Sequence, residues 1–311
     1  MLALARYTLK GPYQATAVVG MLAIVAVFIV PVMGYSAASV MLAFVTNLLA
    51  VVLVGLIILT QGSASGLKVI VVAALVLSLA AWLGLKSAEP GISMALLQWL
   101  PVIALAQVLR SSNSLALTLL AGVVIGILVI GFQYLFWTDL ESNWIGQMVE
   151  RQDGDAQLSQ EQAQQLMQFV RLMMLLLASS LYLMYMLVIF IARWLQAKLA
   201  DSEGFGQEFR ALALGKPAAL IAVVVIPLGL FLQLEWLISI AFLVIIAFMF
   251  QGIAVLHSRL AAKKQAYPLL VLFYVLLVFT WQITGILTAI TGIVDNWLGF
   301  RKKPGNQSNV N

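Results

Sequence analysis

Apolar residues fill this chain in long runs, and short polar breaks separate them. Nine stretches stand out, at about 14–32, 38–60, 67–85, 94–109, 113–137, 165–193, 217–234, 236–256 and 268–297. A helical membrane span needs about 20 such residues. Leu and β-branched residues crowd every stretch without a period of two, so the pattern predicts α-helices rather than a barrel. The breaks carry turn chemistry: Pro31 with Gly34, Gln61-Gly62-Ser63, Glu89-Pro90-Gly91, Arg110-Ser111-Ser112-Asn113 and Lys216-Pro217. The fourth stretch is short and contains Pro101, whose ring removes one backbone hydrogen bond and predicts a kink or tilt. Only Gln233-Leu234-Glu235-Trp236 divides 217–256, which predicts a tight helical hairpin. The expected fold is all-α: a polytopic integral membrane bundle of eight or nine transmembrane helices, one transmembrane domain over residues 1–311.

Composition supports lipid as the solvent. Hydrophobic residues make up 63% and charged residues 9% of the chain, with a mean hydropathy of +1.05; a soluble domain carries about 25% charge. The net charge of +5 does not point to nucleic acid, because the basic residues sit in short loops, where the positive-inside rule puts them. With the N-terminus inside, one face collects eleven basic residues: Arg6, Lys10, Lys68, Arg110, Arg193, Lys198, Arg210, Lys216, Arg259, Lys263 and Lys264. The other face has Lys86 and Arg151 beside Asp139, Glu141, Glu150, Asp153, Asp155 and Glu161. The N-terminus is therefore expected in the cytoplasm. The first apolar run is longer than a secretory core of about 7–15 residues and another span follows at once, so it is expected to stay as an uncleaved helix. The last run, 268–297, would be about 45 Å long as one helix. A softer patch, Trp281-Gln282-Ile283-Thr284-Gly285, is where it is expected to re-enter, returning the polar tail 300–311 to the cytoplasm.

Enzyme chemistry finds little footing. There is no cysteine, which excludes disulfides, thiolate catalysis and thiolate metal sites. His257, the sole histidine, is read as a cytoplasmic loop residue. Gly62-Ser63-Ala64-Ser65-Gly66 lacks the arrangement of a nucleophile elbow, and Gly204-Phe205-Gly206 has neither the preceding strand nor the third glycine of a phosphate loop. Asp153-Gly154-Asp155 falls short of the six to eight oxygens that Ca²⁺ takes. No catalytic residue, metal ligand or cofactor is assigned.

Polar residues inside the spans carry more information, since burial in hydrocarbon is costly unless they are paired. They are Asn47, Gln98, Gln107, Gln133, Gln168, Arg171, Glu235, Gln251 and Gln282. Most are amides, which suit helix–helix hydrogen bonding. A sharper reading has the outer ends of spans five, six, seven and nine frame a small-molecule pocket. Trp137, Asp139, Asn143, Trp144, Glu235 and Gln282 would supply its aromatic walls and polar contacts. Residues 138–165 are read as an extracytoplasmic loop with an amphipathic helix, Leu140, Trp144 and Met148 sharing one face. In the cytoplasmic loop 193–216, Phe205, Phe209 and Leu212 recur at helical spacing. That piece either lies along the inner leaflet or, with Arg193 and Arg210, docks a membrane or cytoplasmic protein partner.

A resemblance runs over nearly the whole chain. Arg193 with Gln196, Gly204-Phe205…Phe209-Arg210, Gln251-Gly252…His257, Gly292-Ile293-Val294-Asp295-Asn296-Trp297…Phe300-Arg301-Lys302 and Leu100-Pro101…Ala106…Leu109-Arg110…Ser114-Leu115 resemble the YybS-like family of bacterial predicted multi-pass membrane proteins. That family is in turn similar to the substrate-binding S-components of energy-coupling-factor vitamin transporters. The resemblance implies a bacterial inner-membrane protein that captures a small molecule from the outer side, with a partner membrane subunit and ATPases supplying energy. The other class consistent with the sequence is a membrane scaffold or assembly factor that recruits partners through loop 193–216 and binds no small molecule.

Overall fold

The computed structural model describes residues 1–136, 160–202, 204–260 and 266–301, and every element among them is helical. The helices are α1 (Leu2–Thr8), α2 (Pro12–Met33), α3 (Ala37–Gln61), α4 (Ser63–Leu85), α5 (Glu89–Ser112), α6 (Leu115–Leu135), α7 (Gln160–Leu199), α8 (Gly204–Arg210), α9 (Lys216–Leu232), α10 (Glu235–Leu260), α11 (Ala266–Phe279) and α12 (Trp281–Leu298). Seven of them, α2 to α7 and α10, are long and apolar enough to cross a membrane. The apolar helices α9 and α11 are shorter, at 17 and 14 residues.

What faces outward is apolar. Along α4, Ala73, Leu77 and Ala81 are buried while Leu75, Leu79 and Leu83 are each more than half exposed. A soluble helix would place charge there. The ten residues from Ala50 to Leu59 are buried without a break, as expected for a helix that is apolar all round.

The residues divide into two compact units. The first comprises 1–121 and 184–209. Its centre is α3, which starts at a capping box: the Ser36 side chain accepts from Ser39 N–H, and the Ser39 side chain accepts from Ser36 N–H. Small residues let neighbouring helices approach, the usual device where lipid supplies no hydrophobic drive. Gly55 faces Ala192 and Val102, Gly84 faces Phe28, and Gly91 lies against the backbone of Ala74 and Ser78. Between α3 and α4 stands Gly62 alone, with φ at +97°, a conformation only glycine adopts freely. Here the predicted Gln61-Gly62-Ser63 break is a one-residue joint.

The second unit comprises 122–183 and 210–311. Its core is the α10–α12 pair, which meet backbone to backbone at Gly252 against Thr288 and at Gly292 against Phe248. The predicted hairpin is α9–α10, turning on Gln233 in the left-handed conformation (φ +54°) and Leu234. The last apolar run breaks at Thr280, one residue ahead of the patch expected to carry the re-entry. Thr280 N–H still donates to Leu276 O, and Thr284 N–H to Thr280 O, both at 2.8 Å, so the ladder carries on across the break. The Thr280 hydroxyl bonds Leu276 O and the Thr284 hydroxyl, each at 2.7 Å. Side chains that bond back into the ladder in this way bend helices.

Candidate functional site

Within the first unit, the most unusual chemistry follows from Pro101. Its missing N–H leaves the carbonyl four residues back, at Leu97, without a partner, and its ring crowds that same carbonyl. The helix responds by widening into a π-turn over Ala95–Trp99, with Leu100 N–H donating to Ala95 O. The orphaned Leu97 oxygen then accepts a hydrogen bond from the hydroxyl of Tyr185, a buried residue midway along α7. Single π-turns inside α-helices recur at functional sites, and an irregular backbone at membrane depth is tolerated only where protein or a cavity surrounds it.

Two amides join this turn. Asn47 Nδ2 of α3 donates to Gln98 Oε1 at 2.9 Å. The opposite atom of that amide, Asn47 Oδ1, is buried with no hydrogen-bond partner among the described residues, and so is the indole Nε1 of Trp99. Trp99 is fully buried. Two helices, α3 and α5, thus hold one spare acceptor and one spare donor beside a distorted backbone. The set is neutral, the protonated Tyr185 phenol included, so its chemistry suits an uncharged hydroxyl- or amide-bearing molecule rather than an ion or a proton chain.

Two further polar groupings are structural. In the first unit, Arg110 donates to Ile58 O and Gln196 to Leu59 O, both at 2.9 Å, satisfying carbonyls at the end of α3. In the second, the loop opening α9 is held by side chains. Gln251 Oε1 accepts from Leu214 N–H at 2.9 Å, Asn296 Oδ1 accepts from Gly215 N–H at 3.1 Å, and Arg301 donates to Leu212 O at 2.8 Å. Arg301 also pairs with the buried Asp295 at 2.6 Å, and Gln251 donates to that carboxylate at 3.2 Å.

The residues expected to line an outer pocket fare differently. Trp137, Asp139, Asn143 and Trp144 lie outside the described residues, as does the amphipathic loop up to 159. Glu235, the first residue of α10, and Gln282, in the first turn of α12, are exposed. No hydrogen bond joins the two. The expected docking residues are half-buried and engage neighbours in the chain. Arg193 pairs with Glu208 and donates to Gln196 at 2.6 Å. Phe205 and Phe209 pack on Phe190, with ring centroids 6.2 and 5.6 Å away, and stay half-exposed. Arg210 accepts from Arg301 through its backbone oxygen. His257 lies not in a loop but within α10, its ring nitrogens 2.9 Å from Ile253 O and 3.3 Å from the Tyr274 hydroxyl.

Among the in-span amides, Asn47, Gln98, Gln133 and Gln251 do pair across helices or to a loop. Gln133 donates to Met174 O at 2.5 Å. Tyr185 and Trp99 escaped the reading of the sequence. Pro101 flags a carbonyl in need four residues back, but the donor comes from 88 residues further along. No family model, curated protein or solved structure matches this chain.

Proposed function

We propose that the protein is a transporter-like or small-solute-binding membrane protein of the bacterial inner membrane, S-component-like in the sense of its YybS-like resemblance. Its spans number eight or nine and its N-terminus is cytoplasmic. Its polar centre is the π-turn of α5 with Asn47, Gln98, Trp99 and Tyr185. A single observation carries the reading: an acceptor and a donor, Asn47 Oδ1 and Trp99 Nε1, are buried in the apolar interior with no hydrogen-bond partner among the described residues. Leaving such a group unmade costs about 1–3 kcal/mol, and a polar ligand that meets both recovers it. The neutrality of the set favours an uncharged polar solute. The contacts of Phe205 and Phe209 with Phe190 occupy part of the face that a scaffold docking through loop 193–216 would use.

The test is mass spectrometry of small molecules co-purifying with the full-length protein, beside Asn47→Leu and Trp99→Phe variants. Wild type is expected to carry a neutral polar compound that both variants lose, and adding that compound should raise the melting temperature of wild type alone. If nothing co-purifies and Trp99→Phe melts higher than wild type, the spare N–H is a plain packing defect. The scaffold class then takes precedence.

A further inference from the structure

We infer that the second unit holds the acyl chain of an anionic phospholipid in a groove between α10 and α12, with the headgroup phosphate at Arg259. The groove has a volume of about 440 Å³. Gly252, Val255, Leu256 and Arg259 line it from α10, and Thr284, Leu287, Thr288 and Thr291 from α12. Each set follows the spacing i, i+3, i+4, i+7, which is one stripe along a helix face. Two such stripes side by side make a channel about 10 Å long. At Gly252 the two helices close on each other at Thr288, and Phe273 and Phe300 complete the lining.

Apart from Arg259, the lining side chains offer a polar occupant no spare donor. All three threonine hydroxyls are already engaged along their own helix. Thr288 donates to Thr284 O at 2.6 Å, Thr291 donates to Leu287 O at 2.9 Å, and Thr284 bonds Thr280 at 2.7 Å. Their donors are spent within the chain's own backbone and side chains, and the Thr288 methyl lies toward Gly252. The cation at the end is different. Arg259 is exposed, with no hydrogen-bond or ion-pair partner among the described residues. It stands just beyond the apolar run 236–256, where a basic side chain at the end of a membrane helix is expected to reach the headgroups. A hydrocarbon channel ending in one guanidinium at the interface is complementary to a lipid with an acyl tail and a negative headgroup.

The experiment uses full-length protein in detergent, titrated with phosphatidylglycerol or phosphatidylcholine and read by native mass spectrometry. Wild type should retain phosphatidylglycerol in preference. Arg259→Gln should cut that preference about fivefold, the effect of ~1 kcal/mol per basic side chain near an anionic surface, and Arg259→Lys should keep most of it. Thr291→Trp and Leu287→Trp, made side by side, should block the channel and lower retention; either one that melts like wild type without lipid decides. Equal retention of the two lipids by wild type, a preference that survives Arg259→Gln, or one that survives the blocking variants would overturn the inference. Displacement of phosphatidylglycerol by inorganic phosphate alone would do so too, since it shows an anion site without a chain. None of these residues belongs to the π-turn, so the two proposals stand or fall separately.

Discussion

A methyl group added at Gly252 would overlap the backbone oxygen of Thr288, and one at Gly292 would overlap that of Phe248. Neither neighbour is a flexible side-chain tip, so the helices must part. Gly252→Ala is expected to destabilise the protein by about 1–3 kcal/mol, seen as a lower melting temperature in detergent. Gly20, inside α2, has nothing within 4 Å of an added methyl. Gly20→Ala should therefore leave stability unchanged or raise it by up to ~1 kcal/mol. A second contrast lies at Asp295, whose side chain is 2% exposed beside Arg301 at 19%. Arg301→Leu strands a buried carboxylate and should cost about 3–5 kcal/mol. Adding Asp295→Asn should recover part of that loss, and a double-mutant cycle by denaturant titration measures it.

The element whose behaviour is most specific is α5. Pro101 deprives Leu97 O of its donor, and Tyr185 supplies another from α7. Tyr185→Phe should cost about 1–2 kcal/mol, the penalty of a buried unmade bond. Pro101→Ala restores the N–H in the helix itself. In that background Tyr185→Phe should cost clearly less, and equal losses in both backgrounds would mean that the phenol acts by packing alone. α12 makes a parallel case: the Thr280 hydroxyl sits in its own ladder, and the bend falls there rather than across the five-residue soft patch.

For the whole molecule, the exposed Leu, Val and Phe surface requires lipid or detergent around it. The protein should stay with membranes through alkaline carbonate washing. The second unit also constrains the tail. α9 and α10 form a hairpin, so α10 ends toward the face from which α9 starts, and Arg301 lies against the backbone of Arg210 and Leu212 beside that start. Residues 302–311 are too polar to lie in hydrocarbon. Reporters inserted in loop 200–204 and fused after Asn311 should thus report the same side. Opposite sides would contradict the placement of α12.

The sequence alone sufficed for what depends on solvent and period. Long apolar runs cannot be hydrated, so helices, breaks and the membrane class were legible, down to Gly62, the 233–234 turn and the disturbance at Pro101. The pairing of in-span amides was legible as a need, since hydrocarbon offers them no water. Which groups would meet was not. Asn47 finds Gln98, Gln251 finds the loop at Leu214, and Leu97 finds Tyr185 across 51, 37 and 88 residues of chain. The amphipathic spacing of Phe205 and Phe209 marked an apolar face without saying whether it turns toward lipid, a partner or Phe190. Periodicity records which residues share a side; only packing in three dimensions decides what that side touches.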